Sequence, residues 1–587
     1  MSSRLNGDTR KAALQRLAGS AVPGEELDVL IIGGGITGAG IALDAVSRGL
    51  STAIVEAQDW SSGTSSRASK LVHGGLRYLQ MLDFNLVNEA LGERDLLLTK
   101  VAPHLVRPLP FLYPLRVRVF ERIYVGSGIL LYDALATARP GKRALPFHRH
   151  LSRRGLTAVF PDFAQDAAIG AIQYWDANVD DSRYVMTVVR TAASFGAHAA
   201  TRTEVVGLTK NAEGAVDGAV LIDLETGTQF PAKARSVISS TGVWTEESQA
   251  LAGDKGGLRV LASKGIHIVV PRARIKGKAG LILQTNRSVL FVIPWSRYWL
   301  IGTTDTAWTQ DLMNPVVTSS DINFVLDEVN AVLAHPISRN DIIGTYAGLR
   351  PLLQPGTKSK TDTAKVSREH TVASPVPGLV VIAGGKFTTY RVMARDAVDF
   401  ALGAKAKSMP SVTEGIPLIG AEGFRAAEHE LDSVIKGLGW DKARTDHLLH
   451  RYGANIREIA ALAQATPDLA RPLEHASAYV RAEIVYAMTH EGALHLDDLM
   501  LHRTRMVYEY PGEGMAALPE VAALAEATLG WSDEQTRHEV DVYRARAAAD
   551  AAAALEPDDA SAARVREQAA DIVPIIDLGK AHTRTKE

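Results

Sequence analysis

The stretch LDVLIIGGGITGAG, Leu27–Gly40, combines a short apolar run with a glycine-rich turn. Its first residues, DVLII, are apolar and β-branched, which is typical of a strand buried on both faces. Gly33, Gly35 and Gly38 follow in the spacing G-x-G-x-x-G, and the residues after them predict a helix. In this spacing the glycines permit a tight turn, close approach to a pyrophosphate, and packing of helix on strand. The stretch therefore predicts a dinucleotide-binding turn, with a tight turn in an unrelated α/β domain as the alternative.

A carboxylate and a second glycine turn indicate which dinucleotide binds. The predicted strand Thr52–Val55 leads into Glu56, where an acidic side chain accepts hydrogen bonds from an adenosine ribose and disfavours the 2′-phosphate of NADP. We find no second fingerprint for a nicotinamide nucleotide, so FAD is the expected cofactor. The late stretch GLVVIAGGKFTTYR, Gly378–Arg391, is typical of the closing strand of an FAD-binding fold, with an ordinary strand–helix unit as the alternative.

The composition excludes several classes of function. The chain has 587 residues, enough for two or three domains, and its 46% hydrophobic and 22% charged residues are typical of a globular protein. A net charge of −2 gives no general attraction to nucleic acid. The absence of cysteine removes disulfides, thiolate nucleophiles and Cys-tethered flavin, and suits a cytoplasmic chain. No signal peptide is visible at the charged N-terminus. No metal site is expected, because His148 and His150 have no further ligands at a suitable spacing.

The segment SSGTSSRASKLVHGGLRYLQ, residues 61–80, is rich in hydroxyl, glycine and basic residues. Hydroxyls and free backbone amides can bond the oxygens of a diphosphate and a ribityl chain. Gly74 and Gly75 let the backbone lie close to a flat ring. Arg77 can bind an anion through two hydrogen bonds. The segment is therefore a candidate for contact with both cofactor and substrate.

Eight motifs in a fixed order span residues 27 to about 400: IIGGGITGAG, SGTSSRASKLVHGGLRYL, YWDANVDDSRYV, SKGIHIVV, IPWSRYWLIGTTD, TYAGLRPLL, SREH and GGKFTTYR. In these motifs the chain resembles the FAD-dependent glycerol-3-phosphate dehydrogenase family, and HGGLRYL and GGKFTTYR are the specific ones. The later stretch MTHEGALHLDDLMLHRTR resembles the family's C-terminal domain. The resemblance implies an α/β (α+β) fold: a Rossmann-like FAD-binding domain interleaved with an antiparallel-sheet substrate domain, followed by a C-terminal helical domain.

The resemblance also implies a reaction, the oxidation of sn-glycerol 3-phosphate to dihydroxyacetone phosphate. The C2 hydrogen would leave as hydride for flavin N5, and the electrons would pass to a membrane quinone. The residues implied to bind the substrate are Arg77, Tyr78, Arg350, Arg368 and Lys386. The residues implied to bind FAD are Gly33, Gly34, Gly35, Gly38, Glu56, Ser65, Ser66, Lys70, Leu71, His73, Gly74, Gly385, Lys386 and Thr388.

Catalysis also requires a group that takes the hydroxyl proton as the hydride departs. The residues implied to be catalytic are His73, Arg77, Arg350 and Lys386. Of these, His73 is the candidate base, because histidine titrates nearest to neutral pH. A histidine that bonds only to flavin or backbone is the alternative, and an arginine or a bound water could act instead. His267, in SKGIHIVV, is a second candidate base, with a structural role as its alternative.

The predicted organisation has three parts. Residues 1–26 form an N-terminal segment, 27–402 the FAD-dependent oxidoreductase region, and 403–587 an Ala-rich helical domain that could support a homodimer. Within the second part, the FAD-binding domain is expected to comprise 27–100, 170–250 and 345–402, and the substrate domain 100–170 and 255–345. The stretch VLFVIPWSRYWLIGTTD, residues 289–305, predicts two antiparallel strands joined by a turn.

One region bears on membrane contact. Residues 107–135 interleave Arg with large apolar side chains, and the basic run 142–154 follows. Such a pattern can lie in an anionic lipid interface, and an ordinary helix and loop of the substrate domain is the alternative. With the quinone that the resemblance implies, the pattern favours a cytoplasmic protein that contacts the cytoplasmic face of the cell membrane peripherally through residues 107–154.

Other functions remain open at this point. An oxidase of the same substrate would use O2 as acceptor. An amine or 2-hydroxy-acid oxidase of the same fold is less favoured, because several cations suit a phosphate better than one carboxylate. A flavin-loaded binding or sensing module is less favoured too, since a sensor needs no cations for anion binding beside the flavin.

Overall fold

The computed structural model describes residues 3–75, 84–117, 119–137, 144–253, 258–285, 289–354 and 370–575. Its strands are β1 (Leu27–Ile32), β2 (Thr52–Val55), β3 (Leu71–Val72), β4 (Arg107–Leu115), β5 (Arg149–Ser152), β6 (Gly170–Asn178), β7 (His198–Ala200), β8 (Thr203–Lys210), β9 (Val216–Asp223), β10 (Thr228–Ser239), β11 (Val260–Pro271), β12 (Gly280–Gln284), β13 (Val289–Trp295), β14 (Tyr298–Gly302), β15 (Thr306–Ala307), β16 (Gly344–Leu353), β17 (His370–Val376) and β18 (Leu379–Gly384).

The α-helices of the described residues are Gly7–Gly19, Ile36–Ser47, Phe84–Leu96, Phe120–Thr137, Arg153–Val159, Asp181–Ser194, Thr245–Ala250, Ser319–Asn330, Tyr390–Leu402, Phe424–His429, Leu431–Val434, Lys442–Tyr452, Ile456–Ala465, Arg481–Thr489, Met506–Glu509, Leu518–Leu529, Asp533–Ala553 and Asp559–Arg566. Across the described ranges, no helix combines the length and the apolar character that a bilayer span requires.

The first sheet carries the glycine turn. Its strands lie in the order β17-β18-β10-β1-β2-β7, and β8 and β9 extend it from β10. Strand β1 pairs in parallel with β2 on one side and with β10 on the other. The chain therefore leaves β1 in one direction and later returns on its opposite side. Open α/β sheets bind ligands at such a point, beyond the carboxyl ends of the strands.

The helix that follows the glycine turn is buried in the middle of this half of the molecule. Residues Ile36–Ser47 are almost all apolar or small, and ten of them are buried. The helix packs between the helices Asp181–Ser194 and Tyr390–Leu402. Gly40 makes one of these contacts possible, since a Cβ there would lie 2.8 Å from the ring of Tyr390. The apolar core around the helix fixes where the glycine turn stands.

The second sheet is mainly antiparallel and has the order β15-β11-β14-β13-β12-β4-β6-β3, with β16 paired to β11 and β5 paired to β6. The expected strand–turn–strand over residues 289–305 is confirmed, because β13 and β14 pair antiparallel from Trp295 opposite Tyr298 to Phe291 opposite Gly302. Trp299 is fully buried in the apolar cluster beneath this sheet. The two sheets meet where β11 and β16 face the carboxyl ends of the first sheet. The α/β fold expected from the sequence is confirmed.

Three strands from segments expected in the FAD-binding domain pair within the second sheet. They are β3, β6 and β16, from the segments 27–100, 170–250 and 345–402. The chain returns to the first sheet after β6 and again after β16. The domain boundaries themselves stay a prediction.

The region expected to contact lipid contains a buried strand. Strand β4 lies between β6 and β12, and most of its side chains are buried in spite of three prolines. Its side chains from residue 109 onward are therefore not available to a membrane. The exposed large apolar side chains of this region lie farther along the chain, at Val117, Val119, Phe120, Ile123, Tyr124, Leu130, Leu131 and Phe147.

The chain after Gly403 is helical within the part that is described, up to residue 575. Two apolar clusters hold these helices together, one around Tyr479 and Leu499 and the other around Trp440 and Tyr486. Buried ion pairs join the helices to the rest of the protein. The guanidinium of Arg451, for example, lies 2.8 Å from the carboxylate of Asp180.

Candidate active site

A cavity of about 1020 Å³ lies between the two sheets. One half is lined by residues at the carboxyl ends of β1, β2 and β18 and by the residues just after β10. The other half is lined by residues of β11 and β16. A cavity of this size and shape, at the crevice of an open α/β sheet, is suited to a large elongated ligand.

The glycine turn forms one wall of the cavity. Gly33 has φ +106°, a backbone conformation that favours glycine. A Cβ at Gly38 would collide with the carbonyl oxygen of Gly33 and lie 2.7 Å from Ser240 Oγ. Gly35 caps the helix Ile36–Ser47 without a side chain and faces the cavity. The turn therefore presents the N-terminus of this helix to the cavity, which favours a phosphate there.

Glu56 directs a carboxylate into the cavity at the end of β2. Its Oε2 accepts a hydrogen bond from the Gly34 amide at 2.6 Å, and its Oε1 accepts one from the Gln58 amide at 2.8 Å. Burial raises the pKa of Glu56, and these two amide bonds oppose that effect. Both oxygens are held in place and keep lone pairs for a further donor. This is the geometry that a ribose hydroxyl requires.

The hydroxyl-rich segment bonds the residue after the glycine turn through Ser65 and strand β16 through Thr64. Ser65 Oγ accepts a hydrogen bond from the Ile36 amide at 2.9 Å, and Thr64 Oγ1 donates one to the Leu349 carbonyl at 2.6 Å. Ser65 and Leu71 line the cavity. Lys70 has another role, because its ammonium bonds the Ser66 carbonyl and the Asp181 carboxylate, each at 2.5 Å.

His73, Lys386 and Thr388 stand together at the far end of the cavity. The Thr388 hydroxyl accepts a hydrogen bond from the His73 amide at 3.1 Å and lies 3.3 Å from the His73 carbonyl. Gly385 has φ +82°, which turns the chain so that Lys386 follows it into the cavity wall. The two motifs HGG and GGKF, 312 residues apart from His73 to Gly385, thus meet as the sequence resemblance implies.

Arg350 enters the same end of the cavity from β16. Its Nη2 donates to Thr303 Oγ1 at 2.9 Å and to the Thr304 carbonyl at 3.1 Å, and Nη1 lies 3.6 Å from Asp305. Its side chain is 23% exposed and forms part of the cavity wall. Arg350 and Lys386 therefore bring two cations to the cavity, and Lys386 follows β18, which β10 and β1 separate from β2 and Glu56.

His267 also lines the cavity, next to Arg350 in the second sheet. Its Nε2 lies 2.9 Å from Ser69 Oγ, and its ring stacks on Tyr346 with 4.8 Å between centroids. Burial, together with the charges of Arg350 and Lys70, lowers the pKa of His267 to about 3. The ring is therefore neutral at physiological pH and can act as a fixed hydrogen-bonding group beside the site.

The remaining predicted residues fall into two groups. Arg77, Tyr78 and Arg368 lie outside the described residues. Five predicted FAD-binding residues lie in the described part of the chain and adjoin the cavity residues without lining the cavity themselves. These are Gly34, Gly38, Ser66, Lys70 and Gly74.

Other cavity residues were not identified from the sequence. Among them are Arg67 and Trp244 and, from the C-terminal region, Glu567, Asp571, Pro574 and Ile575. The helix Asp559–Arg566 brings the last four to the cavity, because the ammonium of Lys264 binds carboxylates of both Asp321 and Asp559. No local sequence motif predicts the contact between Lys264 and Asp559, which lie 295 positions apart.

These residues fit FAD from end to end. Glu56 could hold the adenosine ribose, the glycine turn with Ser65 the diphosphate, and the residues Gly385–Thr388 with His73 the flavin. The fit rests on two observations: the helix N-terminus at Gly35 opens on the cavity, and the carboxylate of Glu56 faces it with both oxygens oriented.

Comparison with known proteins gives the same assignment. Residues 28–399 match the family described as FAD dependent oxidoreductase, and residues 411–536 match the family described as the C-terminal domain of alpha-glycerophosphate oxidase. The glycerol-3-phosphate dehydrogenase of Mycobacterium leprae (strain TN) is 47% identical over 97% of this chain and 95% of its own length. The mitochondrial glycerol-3-phosphate dehydrogenase of Homo sapiens is 36% identical over 88% of this chain and 73% of its own.

A solved structure extends the comparison to three dimensions. The glycerol-3-phosphate dehydrogenase from Bacillus halodurans, solved as a complex with FAD, has a TM-score of 0.72 and 26% identity, over 91% of this chain and 96% of that chain. The cofactor of the present chain is FAD. The chain therefore belongs to the FAD-dependent oxidoreductase family and, within it, to the FAD-dependent glycerol-3-phosphate dehydrogenases.

Proposed function

We propose that this protein oxidises sn-glycerol 3-phosphate to dihydroxyacetone phosphate and passes the two electrons to a membrane quinone. The observation that carries the proposal is the single cavity with two different ends. Glu56 and the glycine turn lie at one end, and His73, Arg350 and Lys386 lie at the other. A cofactor held at the first end would extend its ring toward the cations at the second. The names and shared sequence of the relatives support the same substrate.

The substrate phosphate is assigned to the cationic end. A phosphate ester carries nearly two negative charges at neutral pH, and one exposed ion pair contributes only about 0–1 kcal/mol. Two cations in a shielded cavity contribute more, because the local dielectric is lower there. The bonds from Arg350 to Thr303 and Thr304 fix its guanidinium before the ligand arrives. This arrangement predicts a preference for the phosphate ester over free glycerol.

The chemical step needs a proton acceptor and a hydride acceptor. FAD, when bound, supplies the acceptor for the hydride that leaves C2 and for the onward transfer of its two electrons. His73 takes the proton of the C2 hydroxyl, so that the carbonyl forms as the C–H bond breaks. His73 suits this role better than His267, because the low pKa of His267, about 3, makes it a poor base at neutral pH.

Peripheral membrane contact is part of the proposal. The apolar surface formed by Val117, Val119, Phe120, Ile123, Tyr124, Leu130, Leu131 and Phe147 lies around the helix Phe120–Thr137. Phe147 belongs to it because the adjacent His148 bonds Asp133 of that helix at 2.7 Å. The exposed residues Arg116, Arg149, Arg153 and Arg154 stand beside it in the chain. Apolar side chains with nearby arginines suit an anionic lipid interface, where a quinone is available.

The electron acceptor is tested by steady-state turnover. The FAD-loaded protein is given sn-glycerol 3-phosphate with a short-chain ubiquinone under argon and, separately, with air alone. We expect quinol formation under argon and little hydrogen peroxide in air. Peroxide formed at the rate of substrate oxidation, with no reduction of quinone, would contradict the quinone and identify an oxidase.

A further inference from the structure

Two buried ion pairs of the C-terminal helical region hold the loop that follows β2, one directly through Asp59 and the other through Arg202, whose backbone amide bonds the loop. This loop, residues 56–62, contains Glu56 and contributes several residues to the cavity wall. In the first pair, the guanidinium of Arg503 binds both carboxylate oxygens of Asp59, at 2.5 and 2.8 Å. Both side chains are almost fully buried. A bidentate pair of this kind fixes direction as well as distance.

The second pair holds the other side of the same loop. Arg202 Nη2 donates to Asp498 Oδ1 at 2.6 Å, and the Arg202 amide donates to the Gln58 carbonyl at 3.0 Å. The next amide, that of Thr203, donates to the Glu56 carbonyl at 2.9 Å. Asp498 is itself fixed by the amides of Leu494 and His495. The loop is therefore held from two points in the C-terminal region.

Arg503 has little freedom to move. Its Nε donates to the Glu491 carbonyl at 3.1 Å, and its own carbonyl accepts from Arg183 at 2.8 Å and from Arg451 at 2.6 Å. Side chains locked in this way can position a neighbouring group to within a fraction of an ångström. The loop also bonds the glycine turn, since the Ser61 amide donates to the Gly34 carbonyl at 3.0 Å. Displacement of Asp59 would thus disturb both Glu56 and the turn.

We propose that Arg503 and Asp498 are positioning residues for FAD, which act on the cofactor by fixing the loop 56–62 and the carboxylate of Glu56. The C-terminal helical region then contributes to adenosine binding through Arg503 and Asp498, although neither of these two residues lines the cavity. This inference rests on the proposed role of Glu56 as the residue that binds the ribose.

The test is a double-mutant cycle on FAD binding to the full-length apo-protein, measured by quenching of FAD fluorescence. The variants are Arg503→Lys, Glu56→Gln and the two combined. Asp59→Asn is a second way to weaken the pair with little change of volume. Arg505→Lys is the matched control, because Arg505 is equally buried in the same region but pairs with Asp180 and Glu509, at 2.7 and 2.9 Å.

We expect Arg503→Lys and Asp59→Asn each to raise the Kd for FAD about tenfold, as loss of a charge-assisted bidentate hydrogen bond commonly does, while Arg505→Lys leaves it unchanged. The combined variant Arg503→Lys/Glu56→Gln should raise the Kd by clearly less than the product of the two single effects, because part of the effect of Arg503 acts through Glu56. Independent, additive effects would overturn the inference, and so would a normal Kd in both Arg503→Lys and Asp59→Asn. A normal Kd in Glu56→Gln would overturn the ribose assignment itself, and with it the inference.

Discussion

Arg350 is the described residue whose removal should weaken substrate binding most directly. Arg350→Met keeps the length of the side chain and removes its charge. We expect KM for sn-glycerol 3-phosphate to rise roughly 30- to 5000-fold, because a shielded, hydrogen-bonded charge is worth about 2–5 kcal/mol. The FAD content should stay normal. Lys442→Met is the control, since its side chain is 88% exposed. An unchanged KM would remove Arg350 from the phosphate site.

The role of His73 is separable from a cofactor contact. If His73 accepts the hydroxyl proton, His73→Gln lowers kcat by about 10²- to 10⁴-fold, while the bound FAD keeps its visible spectrum. If His73 only bonds the flavin or the backbone, the variant loses FAD and keeps kcat per bound flavin. Rapid-mixing measurement of flavin reduction by the substrate, normalised to FAD content, decides between the two results.

At the scale of single residues, the sequence identified side chains that belong to short motifs. Glu56 follows a predicted strand, His73 precedes and Lys386 follows a pair of glycines, and each of the three lines the cavity. Lys70 belongs to the same motif as His73 but binds Asp181 instead, a partner 111 residues away that no local pattern indicates. Arg67 lies in the segment 61–80 that the sequence singled out, but it was not named itself, whereas Trp244 was missed because nothing in its neighbourhood distinguishes a cavity side chain from a buried one.

The turn between β1 and its helix depends on Gly38. Gly38→Ala would place a methyl group against the carbonyl of Gly33, so the turn must open. We expect the purified variant to contain little FAD, with the fold retained by circular dichroism. Gly128→Ala is the matched control, because Gly128 is also helical but has no atom within 4 Å of the added Cβ. The control should keep its FAD and lose no stability, since alanine favours a helix by about 0.5–1 kcal/mol over glycine. Normal FAD content in Gly38→Ala would contradict this account of the turn.

The apolar surface on the helix Phe120–Thr137 should control membrane contact. Replacing Phe120 and Ile123, which are 77% and 66% exposed, with serine removes apolar area without touching the core. We expect binding to vesicles of mixed anionic and zwitterionic lipid to fall at least tenfold in a flotation assay. The reason is that about 25 cal/mol of binding free energy is lost for each Å² of apolar surface removed. Turnover with a water-soluble quinone should be unchanged. The same vesicle binding in the double variant would place the membrane contact elsewhere.

At the scale of elements, the pattern of apolar residues predicted the first sheet better than the second. Strands β1 and β2 are mostly apolar and rich in β-branched residues, so their type follows from composition. Strand β4 was not predicted, because Pro108, Pro110 and Pro114 argue against a central strand. Its partners β6 and β12 lie far along the chain, and these non-local contacts override the local preference.

The C-terminal region is tied to the first sheet by a charged histidine. His495 lies between Glu225, at 2.9 Å, and Glu539, at 2.6 Å, and these two carboxylates raise its pKa to about 10 against the opposing effect of burial. Because the folded pKa lies above the unfolded value of about 6.5, the stabilisation is complete below pH 6.5 and is lost as pH rises toward 10. As pH rises from 6.5 to 10, the unfolded chain loses this proton while the folded protein keeps it, so the free energy of unfolding decreases over this pH range.

This arrangement predicts a pH-dependent effect of His495→Gln. The difference in unfolding free energy between wild type and variant should be largest below pH 6.5. It should narrow by about 1.4 kcal/mol for each pH unit above that value. Urea unfolding at several pH values between 5.5 and 9.5 measures the difference. A difference that stays constant with pH would mean that His495 is neutral in the folded protein.

At the scale of the whole molecule, the sequence resemblance predicted the family, the cofactor and the α/β fold, because these depend on motifs that are read locally. It did not predict that the helix Asp559–Arg566 brings residues 567–575 to the cavity, or that Arg503 binds the loop after β2. Such contacts arise only when the C-terminal helices pack on the first sheet. Because of these contacts, the residues that line the cavity come from positions between Ile32 and Ile575.

The most direct test of the central claim is an anaerobic titration of the FAD-loaded protein. The visible absorption band of the oxidised flavin is followed while sn-glycerol 3-phosphate is added and, in a separate cell, glycerol. The account predicts that the phosphate ester bleaches the band to completion and that glycerol leaves it unchanged at the same concentration. A flavin band that neither compound bleaches would contradict the proposed reaction, and equal bleaching by both would contradict the assignment of Arg350 and Lys386 to the phosphate.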